Sequence, residues 1–154
     1  MIKIFKRIVS GFFIFSAVSM SACSDVQRSC TINYSYKSIS TMEVVNDIYV
    51  GNTYYLCVEY EIGNENSNGY SFTSYVNAND NIVVSYIEGP NCTLSGNFIE
   101  VKYEGKSSAK YTSTYKIDVK SKGTSSIKFK DIYNLVLNYD ELKLEAKEKW
   151  NWME

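Results

Sequence analysis

After about residue 40, apolar and polar positions in this chain alternate with a period of two, the spacing of strands whose side chains point to opposite faces in turn. The cleanest run is Tyr111, Ser113, Tyr115, Ile117 and Val119, one face held over nine residues. Tyr54 to Ile62 behaves likewise, with Leu56, Val58, Tyr60 and Ile62 on one face and Tyr55, Cys57, Glu59 and Glu61 on the other. That phase turns Cys57 away from the core. Further strands are predicted over Met42–Val50, Tyr70–Val76, Ile82–Ile87, around Phe98, Val101 and Tyr103, and over Ser126–Phe129. Turn residues punctuate them. Val50-Gly51-Asn52-Thr53 is a two-residue hairpin signal, Gly63–Gly69 a polar loop, Asn77–Asn81 a turn, and Lys120–Gly123 another. Gly89-Pro90-Asn91-Cys92 opens an irregular stretch that reaches about Gly96.

The tail admits two periods. Asp140 to Lys149 has good helix propensity, yet Leu142, Leu144, Ala146, Trp150 and Trp152 sit at even spacing. A helix would scatter these residues around its cylinder, so a strand is expected. Seven to nine strands at spacings near ten residues point to an all-β fold, an immunoglobulin-like antiparallel β-sandwich over residues 41–154. Ser24 to about Ser40 has no strong period, although Thr31–Tyr36 suits a short strand, and it reads as a tether and entry segment.

The first residues follow a different logic. Lys3, Lys6 and Arg7 precede an apolar run from Ile8 to Val18, and the segment closes on Met20-Ser21-Ala22-Cys23. A charged start, a short apolar run and small residues make an export signal, and the run is well short of the roughly 20 residues that span a bilayer. Cys23 directly after Ser-Ala resembles the lipobox of bacterial lipoproteins, with Met20 where Leu is usual. The resemblance implies residues 1–22 as lipoprotein signal peptide, a diacylglycerol on Cys23, and residues 23–40 as lipid anchor and tether. A plain secretory signal abutting a cysteine is the alternative. The expected location is the periplasmic side or the cell surface.

Composition narrows the chemistry. Of 16 basic and 17 acidic residues, three basic ones lie in the signal, which leaves the mature part with a net charge of −4. That offers no basic footprint for nucleic acid. Fourteen Tyr and one Pro favour strands. With no histidine in the chain, Ser-His-Asp and Cys-His catalysis and His-based zinc sites are excluded. The pair Glu59 and Glu61, about 7 Å apart by strand rise, imitates a glycosidase pair but reads as a solvated face. The Asn77–Asn81 loop lacks the acidic count of a calcium loop. No enzyme activity, cofactor or metal is expected. Cys30, Cys57 and Cys92 match no zinc spacing, and export favours one disulfide between two of the three, the pairing left open.

Function then falls to the loops. Alternate loops of a sandwich emerge at one end, so residues 63–69, 104–109 and 131–141 should sit together and present Asn66, Ser67, Asn68, Gly69, Tyr70, Ile132 and Tyr133 to a partner. The third segment, with Ile132, Tyr133, Leu135, Val136, Leu137 and Tyr139, is apolar enough to be either a further core strand or a recognition wedge. Val50-Gly-Asn-Thr, Asn66-Ser-Asn-Gly-Tyr-Ser-Phe72 and Tyr115-Lys-Ile-Asp-Val-Lys-Ser-Lys-Gly123 resemble chagasin-type inhibitors of papain-like cysteine proteases. Those are immunoglobulin-like domains that push three neighbouring loops into a protease cleft. Tyr111–Ile127 is similar to cohesin-like and other bacterial immunoglobulin-like modules as well. The expected function is a membrane-anchored, non-enzymatic envelope lipoprotein that binds a protein or envelope component. Protease inhibition through the three loops is the alternative.

Overall fold

The computed structural model describes residues 28–63, 69–77, 79–90, 92–95 and 98–150. Residues 1–22, Cys23, Asn66, Ser67 and Asn68 lie outside the described residues. In chain order the strands are β1 (Arg28–Ser38), β2 (Val44–Val45), β3 (Ile48–Tyr49), β4 (Thr53–Ile62), β5 (Tyr70–Asn77) and β6 (Ile82–Glu88). Then come β7 (Cys92–Ser95), β8 (Phe98–Gly105), β9 (Ala109–Val119), β10 (Gly123–Tyr133), β11 (Leu135–Leu137) and β12 (Glu141–Lys147). They make two sheets, the first in the order β11-β1-β4-β9-β6 with β2 also beside β1, the second β3-β12-β10-β5-β8-β7. No helix occurs among the described residues. The fold is all-β, an immunoglobulin-like sandwich, as the alternation predicts.

The inward faces carry the core. Leu56, Val58, Tyr60, Tyr115 and Ile117 of the first sheet meet Phe72, Val76, Val101, Tyr103, Ile127, Leu142 and Leu144 of the second. Aromatic rings fill the centre. Phe72 and Tyr103 stack at 4.5 Å and 9°, and Tyr60 lies tilted at 4.5 Å from Tyr103. Such pairs add about 0.5–1.5 kcal/mol each beyond the area they bury. Tyr103 meets the Ser113 hydroxyl at 2.5 Å, which satisfies a polar tip that burial would otherwise strand. Burial holds the Tyr60 and Tyr115 hydroxyls protonated, well above the usual tyrosine range.

Several expectations need correction. The tether does not extend to residue 40, because Arg28–Ser38 is a full strand paired with β4 from Cys30 to Ser38. Its outward residues Ser29, Thr31, Asn33 and Ser35 are turn-type residues, which hides a regular alternation with Cys30, Ile32 and Tyr36. Met42–Val50 is two short strands rather than one: β2 joins β1 in the first sheet, and β3 joins β12 in the second, in parallel. The Gly51 turn therefore carries the chain between sheets and closes no hairpin. Gly51 adopts φ 83°, where a side chain is disfavoured, and its N–H donates to the Val119 carbonyl at 2.9 Å. Lys120–Gly123 likewise passes from β9 to β10 across the sandwich. Residues 131–141 are mostly strand, since β10 runs to Tyr133 and β11 pairs in parallel with Arg28–Cys30. The core-strand alternative holds for Leu135, which is buried, while Ile132, Tyr133, Val136 and Tyr139 stay exposed. The tail is a strand through Lys147, with Leu142, Leu144 and Ala146 inward.

The expected disulfide is absent: Cys30, Cys57 and Cys92 are all free thiols. Cys30 points into the core opposite Ile62, whereas Cys57 lies on the outer face opposite Ser35. Five residues of strand, about 17 Å, separate the two levels. A bridge needs Cα atoms within about 7 Å. Cys92 sits on β7, in the other sheet. Cysteine counts report redox compartment; they cannot report which face a thiol occupies.

Candidate binding end of the sandwich

One end of the sandwich is assembled around Arg28, the first residue of β1. Its side chain is only 4% exposed. Nη2 donates to the Lys106 carbonyl at 2.7 Å, and the guanidinium stands over the Tyr70 ring, 5.4 Å from its centroid. The Arg28 backbone N–H donates to the Asn134 carbonyl at 2.9 Å. Asn134 takes φ 56°, a left-handed conformation that Asn tolerates better than most residues, and its Nδ2 donates to the Gly69 carbonyl at 3.1 Å. One buried cation thus ties together the start of β5, the β8–β9 connection and the β10–β11 junction.

A second set of bonds stiffens this frame. The Tyr111 hydroxyl donates to the Glu104 carbonyl at 3.0 Å, so the Tyr70 hydroxyl, 2.9 Å away, is the donor of the Tyr70–Tyr111 pair. Burial, then the contact with Tyr111, raises the Tyr70 hydroxyl above the ordinary tyrosine range and keeps it protonated as that donor. A Cβ on Gly105 would collide with the Tyr70 hydroxyl, so this close approach requires glycine. The Gly63 N–H donates to the Ser29 carbonyl at 3.0 Å, which holds the other side of the 63–69 segment against β1.

Between these segments lies an open groove of about 500 Å³ lined by Gly69, Tyr70, Glu104, Gly105, Lys106 and Tyr133. Tyr133 is 58% exposed, and Ile132, Val136 and Tyr139 are exposed as well. The charges on the rim are solvated. Lys102 and Glu104 pair at 3.1 Å with both side chains mostly in water, an arrangement worth little.

Of the residues expected in the binding loops, Gly69, Tyr70 and Tyr133 line one groove, and Ile132 precedes Tyr133 on β10 and is exposed; Asn66, Ser67 and Asn68 lie outside the described residues. Tyr70 is buried and acts as frame, not as contact surface. Arg28, Tyr111 and Asn134 were not anticipated. Their signals were faint: a charged residue on the inward phase of Cys30 and Ile32, and a lone Asn inside an apolar run. Elsewhere, Glu59 and Glu61 are exposed and Glu61 pairs with Lys110 at 3.0 Å, as a solvated face would. Asn81 is a buried turn residue. Its carbonyl accepts from Lys120 N–H at 2.8 Å and Ser121 N–H at 3.2 Å, and its Oδ1 accepts from Ser125 at 3.3 Å. Among the described residues no group of three or more His, Cys, Asp or Glu is placed to hold a metal ion.

Fold and end together define a β-sandwich module with a rigid, partly apolar end. No protein-family model matches the sequence, and neither does any curated protein. The backbone is similar to that of a non-cellulosomal cohesin from the hyperthermophilic archaeon Archaeoglobus fulgidus. The TM-score is 0.43 and the identity 11%, over 75% of this chain and 91% of that one.

Proposed function

We propose that this chain is an exported, non-enzymatic envelope lipoprotein, anchored through Cys23, whose Arg28 end binds a protein or another envelope component. The observation that supports it most directly is the exposure of Ile132 and Tyr133 on strands fixed by a buried network, because aromatic anchors on rigid supports lose little entropy on binding. The residue order Met20-Ser21-Ala22-Cys23 supports the anchor. Cross-linking in intact envelopes tests the binding end. Ile132→Ser with Tyr133→Ala should abolish the cross-linked partner while leaving the thermal midpoint within a few degrees, and an unchanged partner would rule the end out. Cys23→Ala should move the protein from the membrane fraction to the soluble one.

Inhibition of papain-type cysteine proteases is the second reading, and the meeting of Gly69, Glu104–Lys106, Tyr133 and Asn134 at one end favours it. It predicts that the purified chain inhibits papain at micromolar concentration, and no inhibition there would remove it.

A further inference from the structure

The exposed edges of a sandwich are where its backbone can still pair, and natural sheets blunt them with short strands, charge, proline or bulges. Most edges here are blunted. In the second sheet β3 has two residues and β7 four, and β12 beyond its contact with β3 carries Glu141, Lys143 and Glu145. In the first sheet β2 and β11 cover the two ends of β1. Between them the side-chain amide of Asn138 occupies the gap. Its Oδ1 accepts from the Ile32 N–H at 2.8 Å, and its Nδ2 donates to the Ile32 carbonyl at 3.3 Å. That amide stands where a neighbouring strand would.

The opposite edge of the same sheet is blunted only near one end. β6 pairs with β9 on one side, and its other side meets no strand among the described residues. It is seven residues long and carries no charge before Glu88. A bulge with Ile87 as its extra residue interrupts the register near the far end. Val83 and Ile87, 46% and 52% exposed, stand on its outer face.

We propose that β6 pairs antiparallel with β6 of a second copy of this chain, about a two-fold axis through Ser85. The sequence Ile82-Val-Val-Ser-Tyr-Ile-Glu88 is nearly palindromic in character about that residue. An axis normal to the sheet keeps outward faces outward, so residues of like phase must oppose one another. Centred on Ser85, the pairing sets Val84 against Tyr86 once on each side of the axis, an apolar cross-strand pair repeated by symmetry, and brings Val83 towards the bulged Ile87 of the other copy. The small, exposed Ser85 meets itself at the centre, where a bulky or charged residue would clash. A two-fold contact of this kind is self-limiting, since it uses up both open edges and leaves each sheet continuous across the dimer.

Cysteine placement tests this in the full chain held in detergent micelles. In the proposed pair the two Ser85 Cα atoms lie about 4.5–5.5 Å apart, inside disulfide range. Two Val83 positions would be offset by four residues, about 13 Å. Under mild oxidation Ser85→Cys should give at least about tenfold more covalent dimer than Val83→Cys, each carrying the same native cysteines. Equal yields, or monomer from both, would overturn the pairing. Sedimentation gives the second measurement. Ser85→Lys and Ser85→Glu should each lose self-association while retaining the parent's thermal midpoint, and an equimolar mixture should regain it, because opposite charges then face one another. A mixture that stays monomeric would also overturn it.

Discussion

The β1 and β6 sides of the first sheet share a layer and a core yet differ in how their backbone polar groups end. On the β1 side two short strands and the Asn138 amide take up groups that would otherwise face solvent. On the β6 side a mostly apolar strand, bulged at Ile87, pairs with no further strand among the described residues. The difference teaches that closing an edge does not require a full strand. One amide with a donor and an acceptor at strand spacing blocks it, at the cost of fixing a single side chain. It also shows where the chain's spare pairing capacity lies.

Alkali should produce the largest effect and act on both sides at once. Burial pushes the Cys30 thiol on β1 from 9.0 up to about 12, and the Tyr86 hydroxyl on β6, also chiefly by burial, from 10.0 up to about 12. In each case the folded state holds its proton where the unfolded chain has lost it. Stability is therefore fully present below about pH 9 and falls as pH rises through 12. Circular dichroism should show cooperative unfolding across that window, beginning at higher pH in Cys30→Val. An onset that does not move would mean the β1 thiol takes no part.

Core truncation should separate face from edge. Ile32→Ala, on the inward face of β1, should cost about 3 kcal/mol. Val83→Ala, on the outward face of β6, should cost less than about 0.5 kcal/mol. Urea unfolding at a protein concentration that keeps the chain monomeric measures both, and equal costs would mean that the two faces do not differ in burial. Asn138→Ala should have the smaller effect of about 1 kcal/mol, for two hydrogen bonds at a site open to water. It should also make the β1 edge adhesive, so that light scattering climbs past the level of a dimer as concentration rises in the variant and not in the parent.

The β4 and β9 faces were legible because both alternate without interruption and each residue's phase follows from its neighbours. Cys57 was placed on the outer face for the same reason. Strand β1 was legible only as a short strand over Thr31–Tyr36 within a tether, since Ser29, Asn33 and Ser35 are residues that also favour turns, and only pairing with β4 extends it over Arg28–Ser38. Connectivity suggested that residues 63–69, 104–109 and 131–141 share one end, and Gly69, Glu104–Lys106, Tyr133 and Asn134 do meet there; nothing suggested Arg28, whose role depends on a carbonyl 78 positions away in sequence.

The sequence by itself determined the strand faces, the all-β class and the exclusion of histidine chemistry, because period, β-propensity and composition are local or summed properties. Tertiary structure alone decided which turns are hairpins and which carry the chain between sheets, that the three thiols stay apart, that a buried arginine organises one end, and that β1 is covered by short strands and an amide while the far side of β6 meets no strand among the described residues. Each of these depends on partners distant along the chain, and pairing between distant segments is set by the packing of whole faces against one another.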